Sequence, residues 1–325
     1  MKPKCVVALA LPDDIIERLA TRYEVAAWNG SDAMSQQRLS DALAGAEGLL
    51  CALSTPVSAT IIDQATELKV ISTISVGVDH IAMPAATRRG IPVGHTPGVL
   101  VDSTADLAVA LMLASTRRIA EADQWVRESQ WTQGWQSDLL LGTDISQATV
   151  GLVGLGPIGE AVARRLRGFG CKLVGWNRTP RVIEDVEPMA LDQVFEQADV
   201  VSLHTALTEE TRHIASRGRL ALMRTGATLI NTGRGLLVDE HALIDELGSG
   251  RLRAGLDVFR EEPLPPHHPF LAMRNVVLLP HVGSATLSTR SAMLQRALEN
   301  LNAGMSDLPL AWCANPEVYH REPYI

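Results

Sequence analysis

The sequence lacks most features that mark a specialised protein. Its four cysteines, Cys5, Cys51, Cys171 and Cys313, lie far apart, without a Cys-x-x-Cys pair or histidine partners. This argues against a disulfide framework or a zinc site, so no metal is expected. Three of them sit in apolar, strand-like surroundings, the plain pattern of buried free thiols in a reducing cytoplasm. There is no block of Lys or Arg and the net charge is −8. Neither nucleic acid nor an anionic membrane is therefore an expected partner. No apolar run approaches the ~18 residues of a membrane span. The apolar stretch of the opening MKPKCVVALALPDD is broken by Pro12 and two aspartates, is too short for a signal segment, and reads as a first strand of a cytoplasmic protein. Internal repeats and low-complexity tracts are missing too. What remains, 46% hydrophobic and 20% charged over 325 residues, is an ordinary globular composition, long enough for about two domains.

Against that background residues 148–181 stand out. An apolar run, Val150 to Val153, enters a glycine turn, Gly154-Leu155-Gly156-Pro157-Ile158-Gly159. A helical pattern follows, with Ala161, Leu166 and Phe169 as its apolar positions, and then a second strand, Cys171 to Trp176. Strand, glycine turn, helix and strand together convert GxGxxG from a weak pattern into a dinucleotide site. The first glycine allows the turn, the second admits a pyrophosphate to the backbone, and the third lets helix pack on strand. The helix N-terminus then stabilises the phosphate charge.

One further absence sharpens this. An NAD site places Asp or Glu about 20 residues on, to hold the ribose 2′-hydroxyl. Here Gly159 is followed 18 positions later by Asn177, then Arg178, Thr179, Pro180 and Arg181, and no carboxylate appears until Glu184. A carboxylate would repel a 2′-phosphate, whereas Asn, Arg and Thr donate to it. The expected cofactor is NADP(H), with NAD(H) possible.

The glycine turn begins about 150 residues in, so another domain precedes it. Strand-like pieces (Cys5–Ala10, Val25–Trp28, Leu49–Leu53, Val70–Ser75) alternate with helical ones (Asp14–Arg22, Ser35–Ala44, Ala59–Ala65). Such alternation implies βαβ units and a parallel sheet. After Thr96-Pro97-Gly98, Ser103 and Asp106 resemble a capping box opening a helix that runs to about Arg127. Residues 131–145, with Trp131, Trp135 and Leu139–Leu141, look like an apolar arm suited to a subunit interface. More strands follow at Val200–His204, Thr228–Asn231, Gly255–Val258 and Val276–Leu279. A last helix over Leu287–Asn302 returns the chain to the first lobe. The expected fold is α/β, with two doubly wound, Rossmann-like parallel-sheet domains. A discontinuous, flavodoxin-like substrate domain (1–101 and 288–325) would flank a dinucleotide-binding domain (102–287).

Three strand ends carry unusual polar residues: Asn231-Thr232-Gly233-Arg234-Gly235, Asp257-Val258-Phe259-Arg260-Glu261-Glu262-Pro263 and His281-Val282-Gly283-Ser284-Ala285. Taken singly, a strand-end Arg is more often a surface ion pair, and a lone His a hydrogen-bonded structural residue. Jointly, beyond a dinucleotide motif, they suit hydride transfer to a 2-keto acid. Arg234 offers a fork for a carboxylate. Imidazole is the one side chain that titrates near neutral pH without large perturbation, so His281 suits the protonation of a forming alkoxide. Glu262 would keep that ring charged.

With GLGPIG, NTGRG, GLDVFREEP and LPHVGSAT in this order, the chain resembles the D-isomer-specific 2-hydroxyacid dehydrogenases along essentially its whole length. STISVGVDH (72–80) and the helix beginning STADLAVALMLASTRR add to the likeness. Within that family it looks most like glyoxylate/hydroxypyruvate reductases and 2-ketogluconate reductases. The resemblance implies that Arg234 binds the substrate carboxylate and that His281, paired with Glu262, donates the proton. It implies that Asp257 meets the nicotinamide carboxamide, and that the N–H groups of Val76 and Gly77 meet the substrate carboxylate. Gly156, Pro157 and Ile158 would lie along the pyrophosphate, between Gly154 and Gly159. Asn177, Arg178 and Thr179 would hold the 2′-phosphate, and Ala206 and Thr232 would line the cofactor by backbone. Gly283 would sit near the nicotinamide, while Ser284 and Arg290 are candidates for a substrate hydroxyl. A homodimer built on the cofactor domain is also implied. The arm departs from these reductases near Asp138-Leu139, where an aromatic residue is missing.

The function read from all this is NADPH-preferring reduction of glyoxylate, hydroxypyruvate or 2-ketogluconate to a D-2-hydroxy acid. The alternatives are an NAD-linked D-lactate or phosphoglycerate dehydrogenase and a non-catalytic, cofactor-sensing module of the corepressor kind. The absent strand-end carboxylate argues against the first, and no basic or peptide-binding segment supports the second.

Overall fold

The computed structural model describes residues 1–30 and 32–320. The chain divides into two compact units, Met1–Val99 with Thr286–Ile325, and Leu100–Ala285.

The first unit runs β1 (Lys4–Val7), α1 (Asp13–Ala20), β2 (Glu24–Ala27), α2 (Gln36–Leu43), β3 (Gly48–Cys51), α3 (Ala59–Gln64), β4 (Val70–Thr73), α4 (Met83–Arg88) and β5 (Val93–Gly94). These strands form a sheet in the order β2-β1-β3-β4-β5, every pair parallel. Parallel strands are covered on both faces and so read as continuous apolar runs. Alternation along β1 shows both covers. Val6 packs with Leu39 and Leu43 of α2 and Ile61 and Ile62 of α3. Cys5 and Val7 face Leu19 of α1. Ser35 and Ser58 cap α2 and α3, each accepting a backbone N–H three residues on, a contact worth ~1 kcal/mol.

The second unit runs α5 (Val101–Thr116), α6 (Ile119–Arg127), β6 (Thr149–Val153), α7 (Pro157–Leu166), β7 (Lys172–Trp176), β8 (Val186–Pro188), α8 (Leu191–Gln197), β9 (Val200–Leu203), α9 (Arg217–Leu222), β10 (Thr228–Asn231), α10 (Glu240–Gly248), β11 (Arg253–Leu256) and β12 (Val276–Leu278). Its seven strands are parallel, in the order β12-β11-β10-β9-β6-β7-β8. One face packs Val201, Leu229 and Ala254 against Phe195 of α8, Leu220 of α9 and Leu243 of α10. The other packs Leu152 and Ile230 against Ala105, Ala108, Leu111 and Met112 of α5 and Val162 and Leu166 of α7. The chain then returns to the first unit as α11 (Leu287–Gly304), whose Ala297 and Leu301, with Met305 just after it, join Cys5 and Val7.

The α/β class and the two parallel sheets agree with the sequence. The helix expected from Ser103 to about Arg127 does not. Arg118 takes a left-handed backbone, φ 53°, and divides it into α5 and α6, while the Thr116 carbonyl accepts the N–H of Thr143 instead of continuing the helix. Ser103 is no cap either. The helix starts at Val101, Ser103 Oγ donates to the Leu100 carbonyl at 3.1 Å, and Asp106 pairs with Arg165 of α7 at 2.5 Å. Cys5 and Cys51 are buried free thiols, whereas Cys171 and Cys313 are half-exposed. Among the described residues no helix is long and apolar enough to cross a membrane and no cluster of side chains could hold a metal.

Candidate active site

In the second sheet β6 lies between β9 and β7, so the chain winds away in opposite directions from β6 and β9. A crevice opens at such a switch point, beyond the carboxyl ends of the strands, and the glycine turn falls there. Gly154 has φ 101°, and a Cβ on it would lie 2.7 Å from the His204 carbonyl carbon. A Cβ on Gly159 would collide with the Gly154 carbonyl oxygen. Gly156, the N-cap of α7, has nothing within 4 Å of such a position. Two glycines thus close the turn and the third keeps its backbone open. Pro157 and Ile158 form the first turn of α7, whose N–H groups are the helix's unpaired donors.

Around this turn lie several buried polar atoms without partners in the chain: Thr205 Oγ1, Thr232 Oγ1 and both ring nitrogens of His204. Leaving such groups unsatisfied costs ~1–3 kcal/mol each. Together with the open backbone at Gly156 they fit a polar dinucleotide. Burial pushes the His204 ring down to about 4, so it is neutral at neutral pH. The carbonyl of Ala206 already accepts the Thr211 hydroxyl at 2.6 Å.

The loop after β7 is tied to the glycine turn. Asn177 Oδ1 accepts the Leu155 N–H at 3.0 Å, and its Nδ2 donates to the Thr179 carbonyl at 2.7 Å. Arg181 donates to the Leu155 carbonyl and to Glu160, each at 2.7 Å. Both backbone groups of Leu155 are therefore held by this loop. Asn177 is a brace of the turn, and Arg181 is a second brace that sequence reasoning passed over, since its partner lies 26 residues away. Arg178 is exposed and pairs with Glu210 at 2.5 Å.

The three polar strand ends converge. His281 Nδ1 and Glu262 Oε2 are 2.6 Å apart, and Glu262 Oε1 accepts the Phe259 N–H at 2.9 Å. Burial alone would raise the Glu262 carboxyl. The hydrogen bonds from His281 and Phe259 and the charges of His281 and Arg234 outweigh it and hold the group below its usual range. Glu262 therefore stays ionised beside the ring. Arg234 projects from the turn after β10, where buried Asn231 accepts the Gly233 N–H and donates to the Arg234 carbonyl. A Cβ on Gly235 would strike the Phe259 carbonyl, so the Arg234 and Glu262 loops are in backbone contact.

His281 is left-handed at φ 54°, a conformation costing roughly 1–2 kcal/mol for a side-chain-bearing residue. Asp257 holds it there. Its carbonyl accepts the His281 N–H at 2.9 Å, and its carboxylate oxygens accept Val282 N–H at 2.7 Å and Gly283 N–H at 2.8 Å. Burial raises the Asp257 carboxyl even against those two hydrogen bonds. The family resemblance implies a contact of Asp257 with the nicotinamide carboxamide; in the structure its carboxylate braces the turn that aims His281. Gly283 also accepts the Thr104 hydroxyl, and Ser284 is half-buried beside it.

Val76 and Gly77 belong to the first unit, after β4. The Ser75 carbonyl accepts Thr96 N–H at 2.8 Å, and the Val76 carbonyl lies 2.9 Å from His95 Nδ1. In a trans peptide C=O and N–H point oppositely, so the N–H groups of Val76 and Gly77 point away from these anchors. Arg290 lies in the first turn of α11, in the same unit.

Comparison with known proteins places the chain in a family. Residues 109–283 match the family model of the D-isomer specific 2-hydroxyacid dehydrogenase NAD binding domain. The chain is 44% identical to a glyoxylate reductase/hydroxypyruvate reductase of Mus musculus, over 88% of this chain and 89% of the relative. It is 42% identical to a glyoxylate reductase of Thermofilum pendens, over 99% and 97%. Among solved structures, an NADPH-dependent glyoxylate/hydroxypyruvate reductase of Sinorhizobium meliloti, in complex with NADP and malonate, superimposes with a TM-score of 0.86 at 31% identity, covering 100% of both chains. The protein belongs to the D-isomer-specific 2-hydroxyacid dehydrogenase family and is an NAD(P)-dependent enzyme of that family.

Proposed function

We propose that the protein reduces short 2-keto acids, glyoxylate and hydroxypyruvate foremost and 2-ketogluconate in the same class, to D-2-hydroxy acids, with NADPH preferred over NADH. The observation that carries this reading is the 2.6 Å contact between His281 and an ionised Glu262, with Arg234 close enough for its charge to act on that carboxyl. Nicotinamide, when bound, supplies the hydride. Arg234 binds the substrate carboxylate and polarises the carbonyl beside it. His281, hydrogen-bonded to Glu262, gives its proton to the oxygen that becomes the hydroxyl. Asn231 and Asp257 fix the turns bearing Arg234 and His281. The outward N–H groups of Val76 and Gly77 suit a carboxylate oxygen, and Ser284 a substrate hydroxyl.

Preference for NADPH rests on Asn177-Arg178-Thr179 standing where an NAD enzyme has a carboxylate. Arg178 exchanges exposed Glu210, a pair worth only ~0–1 kcal/mol, for the doubly charged 2′-phosphate. The names of the relatives support the substrate class. The test is a matrix of initial rates, NADPH and NADH against glyoxylate, hydroxypyruvate and 2-ketogluconate. The proposal expects turnover with the first two acids and a higher kcat/KM for NADPH. Equal efficiency with the two cofactors refutes the preference, and no turnover with any acid refutes the activity.

A further inference from the structure

The first unit has a second candidate site, at the opposite end of its strands from Val76 and Gly77. Those two residues follow the carboxyl end of β4. The carboxyl end of α1 and the later turns of α11 lie instead near the amino ends of the strands, where Gly48 approaches Met305 and Val70 approaches Gly304. There a cavity of about 270 Å³ is lined by Ile15, Leu19 and Leu298 on the apolar side and by Arg18, Arg22 and Asn302 on the polar side, with Thr21 and Tyr23 completing it. Its volume is just below the ~300–1,000 Å³ of ordinary ligand pockets, room enough for a small organic acid.

The chemistry of the lining is one-sided. Among the described residues no carboxylate lines the cavity. The acids of α1 (Asp13, Asp14 and Glu17) are outside its lining, and among the described residues neither Arg18 nor Arg22 makes an ion pair. Tyr23 Oη donates to Asn302 Oδ1 at 2.7 Å and Arg22 reaches the same oxygen at 3.5 Å. The amide acceptor is thus occupied and the Asn302 Nδ2 donor remains. Burial keeps the Tyr23 hydroxyl protonated to higher pH than usual, against the lowering effect of Arg22, so it adds no negative charge to the lining. Two guanidiniums and an amide donor beside three aliphatic side chains match one ligand shape, an anionic head on an apolar body.

We propose that this cavity binds a small carboxylate with an apolar body, at a site separate from the one that carries Arg234. Sodium benzoate, titrated by calorimetry against the full chain carrying Arg234→Gln, tests it with the substrate's own carboxylate site weakened. Saturable binding is expected, and Arg18→Gln with Arg22→Gln in the same background should weaken it at least ~10-fold, the scale of one lost charge-assisted hydrogen bond. Both arginines are exposed, so the variant should keep the parent's melting temperature, and Arg18→Lys with Arg22→Lys should retain part of the binding. In the otherwise natural chain, Arg18→Gln with Arg22→Gln should leave glyoxylate kinetics unchanged. Absence of saturable benzoate binding, or binding indifferent to the two Gln substitutions, overturns the proposal. Inorganic phosphate displacing benzoate with equal affinity overturns the role of the apolar body.

Discussion

At the residue scale, the site is a set of strained or desolvated groups held by neighbours chosen for that task. Glu262 stays ionised despite partial burial because His281 and Phe259 donate to it. Glu262→Gln removes the charged acceptor at His281 Nδ1 and should lower kcat for glyoxylate reduction by ~10-fold or more, the scale of a charge-assisted hydrogen bond, with NADPH affinity nearly unchanged; an unaltered kcat would dissociate Glu262 from the proton transfer. His204 behaves oppositely. Burial lowers it to about 4, while an unfolded histidine titrates near ~6.5. The unfolded state therefore binds the extra proton, and stability present above pH ~6.5 is lost as pH falls towards 4. Urea unfolding of the cofactor-free protein should show that loss, about 3 kcal/mol at most. His204→Asn should be less stable at pH 7 yet lose less on acidification. A parallel decline in both proteins would contradict this assignment.

At the scale of elements, most of the frame was legible, because parallel strands buried on both faces appear as unbroken apolar runs; β6, β9 and β10 are of this kind. The parts that escaped have physical reasons. β5 is two residues long and β8 is three, ending in Pro188, too short to form a run. The break between α5 and α6 is made by a left-handed Arg118, with no Gly or Pro to announce it. The polar strand ends pointed to Arg234, Glu262 and His281. Asn231 and Arg181 did not declare themselves, since their work is done through backbone contacts that only the folded chain supplies. The loop after β7 gives a prediction of its own. Arg181→Ala removes a brace from the glycine turn and should raise KM for NADPH and NADH alike. Arg178→Ala should raise KM for NADPH alone, by ~10-fold or more for one charge-assisted hydrogen bond. If Arg181→Ala also discriminated between the cofactors, Arg181 would be a phosphate ligand rather than a brace.

At the scale of the molecule, the second unit leaves much apolar surface uncovered. Trp131 and Trp135 are 58% and 88% exposed, and Ile119, Val126 and Leu141 are exposed with them, all within α6 and the segment after it. A soluble monomer rarely presents so much in one stretch. We expect a two-fold dimer formed through the cofactor-binding unit, the commonest closed symmetry. Light scattering should give twice the 35.1 kDa chain mass, and Trp131→Ser with Trp135→Ser should shift the population to monomer. A monomeric mass for the natural chain refutes the dimer, and an undisturbed dimer in the variant places its interface elsewhere.

The central claim is that the His281–Glu262 pair protonates a 2-keto acid during NADPH-dependent reduction. It is tested most directly by the initial rate of NADPH oxidation with hydroxypyruvate in the natural protein and in His281→Asn, alongside NADPH affinity measured by fluorescence. The account predicts turnover lowered by ~100-fold or more, the scale of a lost general acid, with cofactor affinity nearly unchanged. Turnover retained within a few-fold in a variant that still binds NADPH would contradict it.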